Sequence, residues 1–478
     1  MIFLLLLLFI PPGRPIEEPP VRVQTEFIEE LEDEPEEPIE PPEITEEIIT
    51  EVDIVLDPKV VAEVDIEIDV VTEVTEEPVQ GDPSEFDALN DDIHSPALMG
   101  IGNAGGAGGS GGAFGSRTGR GRERSLRTGG GEGTQDALDL ALQWLAHHQE
   151  ENGMWDCAKY EGGSHNYAVT GLATLAFLAN GNTPEMGRYR DTVSKAVNWI
   201  DSIQRPDGHY GTFRYEAAFT LMAMAEAYGM TSGGADDAWR RNVQRAVDAA
   251  VAAQGPDGGW RYSPGSAGDM SVAGWWMMAL KSAKESGLNV PDTMFERAKQ
   301  YWTNSAVRLS GDSSYERYTG RYMLSGDRVS AVGTAALMCG RQFLGFPRHD
   351  PIIVGAAQVL LNEEQGIANW RGGNNLLPGR RTGQGQGSQD FYTWYYMALG
   401  FYQLGPQSEY WQTFNPLMKE ELLTTQRKDG TIAQFRGSWC PNDGGYYGSG
   451  RWGRVGQSAV GALMFSVYYR YELIQRNR

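Results

Sequence analysis

Six ionisable residues recur at one kind of place in this chain, at or just ahead of the start of a strongly apolar stretch: His165, Glu216, Asp269, Asp327, Asp390 and Arg454. Helices that begin there side by side turn their positive dipole ends toward one face, and such a face favours anions. Arginines such as Arg308, Arg317, Arg328 and Arg451 crowd the connections before the last three stretches, and aromatic residues follow close behind. The pattern reads as a mouth for a hydrophobic small molecule with an anionic head-group. Its ligand-binding residues are then His165, Glu216, Trp275, Trp276, Asp327, Arg328, Phe391, Trp394 and Arg454, with Tyr392 and Tyr395 beneath. The competing reading pairs the arginines with neighbouring acids and uses the aromatics as core.

The elements that must position these residues show as a repeat of about 50 to 60 residues that starts near Thr134. Each unit is an amphipathic helix, a turn and a more apolar helix. In the second unit Val193, Val197, Ile200 and Ile203 fall on one face, and Pro206-Asp207-Gly208 ends the helix by removing a donor and supplying a turn. The partner stretches, among them YAVTGLATLAFLANG from Tyr167 and YEAAFTLMAMAEAYG from Tyr215, are apolar on every side and must lie inside. Six such pairs, with no polar-faced cap at either end, predict an all-α closed ring rather than an open solenoid.

The turns carry QEENGMW (Gln149–Trp155), QRPDGHYG (Gln204–Gly211), QGPDGGW (Gln254–Trp260) and QRKDGT (Gln426–Thr431). These copies resemble the Gln-Trp repeats of squalene/hopene cyclases and protein prenyltransferase β-subunits, over residues 134–478. The resemblance implies an α/α toroid of about six helical hairpins around an apolar cavity, binding an isoprenoid-like ligand with cyclase or mutase chemistry. The Asp-rich cluster with which the cyclases protonate an alkene is missing, which argues against cyclase activity. Asp269 is its lone counterpart, and an Asp ahead of Ser271 also reads as a helix N-cap. The zinc-binding Asp-x-Cys of the prenyltransferases is replaced by Asp269-Met270-Ser271, so zinc is not expected, nor any other cofactor.

If the chain is an enzyme, Asp269 is the general acid and Asp390 its partner, with Trp275, Trp276 and Trp394 offering cation-stabilising faces. Two alternatives come from other classes. One is a non-catalytic scaffold or receptor at the cell envelope. The other is a polysaccharide-active α/α barrel with Asp269 and Asp390 as paired carboxylates.

Ring closure would bring Asp156, Cys157 and His165 of the first unit beside Cys440 and Asp443 of the last. Outside the cytoplasm a Cys157–Cys440 disulfide is expected ahead of a metal site, although neither is a third option. Cys339, inside an apolar helix, reads as core.

Charge divides the chain sharply. The net charge is −24, and 29 of the 64 acidic but only 3 of the 40 basic residues fall within 1–98. Residues 11–98 are rich in Glu and Pro, and so polar a leader is expected to stay disordered. A Gly-rich and then basic linker, 99–133, reads as a plain spacer. An acidic leader repels phosphate backbones, so no nucleic acid is expected as a partner. The apolar run 1–10 is about half the length a spanning helix needs and reads as part of a transmembrane anchor, with a weak signal peptide as the alternative. Both place the toroid on the extracytoplasmic, periplasmic-type side.

Overall fold

Apolar side chains decide which of two layers each helix enters. The computed structural model describes residues 114, 117, 132–212, 215–231, 237–310, 316–362, 370–371, 390–441 and 449–471. All belong to the second of the chain's two units, Leu89–Arg478. The expected anchor and acidic leader therefore lie outside the described residues. Among the described residues no helix is long and apolar enough to cross a membrane.

The outer helices are α1 (Glu132–His147), α3 (Arg190–Ser202), α5 (Asp237–Ala252), α7 (Asp292–Asn304), α9 (Pro351–Asn362) and α11 (Glu409–Thr425). Each buries one stripe. In α3 the buried residues are Val193, Ala196, Val197 and Ile200, and in α5 Val243, Ala246, Val247 and Ala250. The inner helices are α2 (Asn166–Ala179), α4 (Tyr215–Met230), α6 (Met270–Glu285), α8 (Ala331–Phe343), α10 (Phe391–Gln403) and α12 (Ser449–Phe465). They are buried almost all round, as their composition requires. Each inner helix packs on the next, and α12 packs on α2, so six hairpins close into a ring. A short helix, α13 (Val467–Arg470), follows.

The repeated glutamine holds neighbouring units together. Gln149 Nε2 donates to Gly153 O in its own turn and to Thr192 O in α3, both at 2.9 Å. Gln204 bridges Gly208 O and Asn242 O in the same way, and Gln254 bridges Gly258 O and Met294 O. In the last unit Gln426 bridges Gly437 O and Ala137 O of α1, which closes the ring. The glycines Gly153, Gly208, Gly258 and Gly437 all have φ between 89° and 98°. A Cβ on any of them would also meet a carbonyl of the next outer helix, so two constraints select glycine there. The aromatic that follows is a bolt: the indole nitrogens of Trp155, Trp260 and Trp439 donate to Leu145 O, Ala250 O and Leu422 O.

The sixth unit departs from its sequence reading. QRKDGT supplies the glutamine, but the turn glycine is Gly437 and not Gly430, so residues 427–436 separate the two where the other turns have only three residues. In the fourth unit the glutamine turn is absent. There β1 (Ala306–Arg308) pairs antiparallel with β2 (Tyr318–Gly320), while β3 (Val329–Ser330) pairs parallel with β4 (Trp370–Arg371). Among the described residues the helical toroid thus carries two small strand pairs on its connections.

Candidate functional site

The connections from outer to inner helices meet at one end of the ring, and Asp269 is the most engaged acid there. It caps α6, Oδ1 accepting from Val272 N at 3.0 Å and Ser271 Oγ at 2.7 Å, while Oδ2 accepts from Tyr322 Oη at 3.0 Å. Burial pushes its carboxyl above the ordinary aspartate value, against the pull of those hydrogen bonds. Ser271 Oγ lies 2.6 Å from Tyr215 Oη, and the Ser271 carbonyl accepts from Tyr392 Oη at 3.0 Å. Tyr392 Oη accepts in turn from Trp275 Nε1 at 2.9 Å. Three inner helices, α4, α6 and α10, are thereby knotted across the mouth.

The other expected residues divide between this mouth and the framework. His165, the residue just ahead of α2, donates through Nδ1 to Glu216 Oε1 at 2.9 Å, and its side chain is 29 % exposed. Asp390 caps α10, accepting from Thr393 N at 3.1 Å and Thr393 Oγ1 at 2.6 Å, and burial pushes its carboxyl up. These hydrogen bonds give Asp269 and Asp390 no partner in common, and each carboxylate caps its own helix. Asp327 is exposed and does not start α8; Ser330 caps that helix by accepting from Gly333 N. Arg328 lies over the Tyr322 ring at 4.8 Å.

Arg454 is framework. The chain breaks from helical geometry at Gly453, and Arg454 behind it forms a forked pair with Glu161 at 2.7 and 3.0 Å and donates to Ser438 Oγ. That pair ties the last unit to the first. Arg308 is likewise paired, with Glu316 at 2.9 Å.

Among the aromatics, Trp275 lies in the lumen, stacked on Tyr395 at 5.4 Å with the edge of Phe219 at 4.5 Å. Trp276 packs against His209 of the second connection, and Phe391 contacts both Trp394 and Trp439 in the core between the fifth and sixth units. Sequence reasoning missed Tyr215, Ser271, Tyr322 and Trp452. Trp452 stands 5.4 Å from Phe219, 5.7 Å from Tyr392 and 6.5 Å from Tyr215.

Below the mouth the described residues facing the axis are buried aromatics. Phe219, Trp275, Tyr395 and Tyr396 are 1 % exposed or less, so these rings are packed closely against one another and their neighbours. Farther down, Arg470 Nη1 donates to Tyr395 Oη at 2.7 Å, and the end is closed by Glu226 between Arg117 and Arg470.

The expected Cys157–Cys440 bridge is not formed. Both thiols are free, and Cys157 Sγ donates instead to the carbonyl of Arg451 at 3.1 Å. Ring closure does bring the first connection against the last, but it presents a carbonyl to Cys157. Among the described residues no three His, Cys, Asp or Glu side chains gather as metal ligands. Burial pushes the Cys157 thiol up to about 11, and Cys339 is fully buried. At pH 8 iodoacetamide is therefore expected to modify only Cys440 in the folded chain and all three cysteines after denaturation without reductant, as read by mass spectrometry. Two unreactive thiols in the denatured, unreduced chain would restore the bridge.

No family model matches the chain. Among solved structures, an inactive variant of an α-1,6-mannanase from Salegentibacter in complex with α-1,6-mannotetrose is similar at 11 % identity with a TM-score of 0.48, over 71 % of this chain and 99 % of that one. A type II terpene cyclase from Scytonema in complex with geranylgeranyl dihydroxybenzoate is similar at 12 % identity with a TM-score of 0.44, over 73 % and 99 %.

Proposed function

We propose that this toroid recognises a saccharide at its mouth and that its lumen houses no isoprenoid. The carrying observation is a contrast in packing along one axis. Tyr215, Tyr322 and Trp452 are only partly buried and Tyr262 is 39 % exposed, whereas Phe219, Trp275, Tyr395 and Tyr396 next along the inner helices are 1 % exposed or less. Tyr262 lies 6.0 Å from the Tyr215 ring and its hydroxyl 3.5 Å from that of Tyr322. Aromatic faces with polar rims, beside an imidazole–carboxylate pair, suit the apolar faces and hydroxyls of a sugar ring. An isoprenoid would have to displace Trp275 and Tyr395 from their stack. The raised carboxyl of Asp269, linked through Tyr322 to the exposed Tyr262, favours one extension of this reading: Asp269 as the general acid of a glycosidic cleavage.

Titration of the full chain with a panel of neutral and acidic oligosaccharides, followed by tryptophan fluorescence, tests the reading. Trp452→Ala is expected to weaken binding about tenfold, the value of one lost ring stack of about 1.4 kcal/mol. Asp269→Asn is expected to keep binding and abolish any cleavage. An isoprenoid recovered by solvent extraction of the purified chain, with no saccharide bound, overturns the proposal in favour of an apolar ligand. A chain that binds neither is a scaffold. Membrane tethering through residues 1–10 and an extracytoplasmic toroid belong to the same proposal, and cell fractionation with a high-pH wash reads them.

A further inference from the structure

The end of the toroid opposite the mouth holds a group that does not come from the ring. Arg117, from the Gly-rich and basic stretch expected to be a plain spacer, is fully buried there. Its Nη1 donates to Glu226 Oε2 at 2.8 Å and points at Met230 Sδ at 3.4 Å, and its Nε donates to the carbonyl of Arg470 at 3.4 Å. Phe114 turns back beneath it. The ring lies 4.6 Å from the guanidinium and against Gly229 of α4, where any side chain would collide with it. Ser282 Oγ and Arg470 Nη2 donate to the other oxygen of Glu226. The toroid therefore offers a guanidinium a buried carboxylate for its charge and a carbonyl for its edge, while the linker's own Phe114 covers its plane.

We infer that the closed end of the toroid is a binding site for an arginine side chain, occupied in cis by the Phe114–Arg117 turn of the linker. The turn acts as a stopper. It supplies the second cation that a fully buried Glu226 needs, and it seals the lumen below Tyr395. The site is independent of the reading made for the mouth, since it shares no residue with it.

Chemical rescue in the full-length chain tests the inference. Arg117→Ala is expected to lower the melting temperature by roughly 5–10 °C, because it strands part of a buried charge network. Methylguanidinium at millimolar concentration is expected to restore several degrees of that loss, and methylammonium at the same concentration none. The double variant Arg117→Ala/Glu226→Gln is expected not to respond. If Arg117→Ala is too unstable to purify, Arg117→Lys keeps the charge but loses the fork, and the same rescue is measured on it. A variant that melts like the unaltered protein overturns the inference. So does recovery that methylammonium matches, which would be an ionic-strength effect. Elution of the unaltered chain as a dimer that Arg117→Ala converts to monomer assigns the arginine to a second copy and overturns the cis assignment.

Discussion

Glu226→Gln is expected to destabilise the toroid by about 3–5 kcal/mol, the usual cost of breaking a buried pair and leaving its cations uncompensated. Glu226 is fully buried in α4 between Arg117 and Arg470, which reach its two oxygens at 2.8 and 3.3 Å. Burial alone would raise its pKa. The two guanidinium groups outweigh burial and hold it below the ordinary glutamate value. A depressed pKa means that the stabilisation is fully present above the unfolded-state value, near 4.5, and is lost as pH falls through the folded one. Urea melts from pH 3 to 7 are thus expected to show an acid limb that steepens below about pH 4.5, and in Glu226→Gln that limb flattens while the plateau drops. An unchanged acid limb in the variant would mean that other carboxylates carry the acid sensitivity. Replacing both arginines and the glutamate by apolar residues of similar volume should recover much of the loss, because the network is costly to break and not costly to omit.

The linker arginine behind that prediction was hidden in the sequence for a physical reason. A basic, Gly-rich stretch has the composition of a solvated spacer, and nothing in its own pattern says that one of its charges is buried. The legible sign lay elsewhere, in AMAEAYG, where Glu226 interrupts a helix that is apolar on every side. A carboxylate in such a helix requires a cation from some other segment. The six hairpins were legible because their periodicity is physical: stripes such as Val193, Val197 and Ile200 have one dry face, and α2 and α10 have no wet one. The same property hid the site. A helix apolar all round carries no period that separates lumen from outer layer, so Trp275, which lies in the lumen, could not be told from Trp276, Phe391 and Trp394, which pack against the second connection and the core. Asp327 reads as the start of α8 by its charge, whereas the helix is capped three residues later by the Ser330 hydroxyl. Tyr322 sits in the long fourth connection, where the repeat lapses and no spacing points to it.

Trp439→Ala is expected to cost about 3–5 kcal/mol, as for other fully buried tryptophans. The distinguishing result is where the damage goes. Trp439 closes the inserted connection of the sixth unit: its indole nitrogen is held by Leu422 O, its backbone nitrogen donates to Ser458 Oγ, and its ring lies against Gly461, which has no side chain to oppose it. The connection ahead of it carries the contacts that join the last unit to the first. Gln434 O accepts from Trp144 Nε1 at 2.9 Å, Gly437 O holds the Gln426 amide that also donates to Ala137 O of α1, and Ser438 Oγ accepts from Arg454, which holds Glu161 of the first connection. Loosening Trp439 should therefore raise hydrogen exchange in α1 and α2 as well as in α11 and α12, although α1 lies almost three hundred residues away in sequence. Trp260→Ala removes the equivalent bolt from the middle of the ring, where the flanking units stay joined on both sides, and its increase in exchange should remain within α5, α6 and α7. Equal spreading in the two variants would mean that closure adds no cooperativity and that the toroid behaves as a row of hairpins whose ends happen to touch.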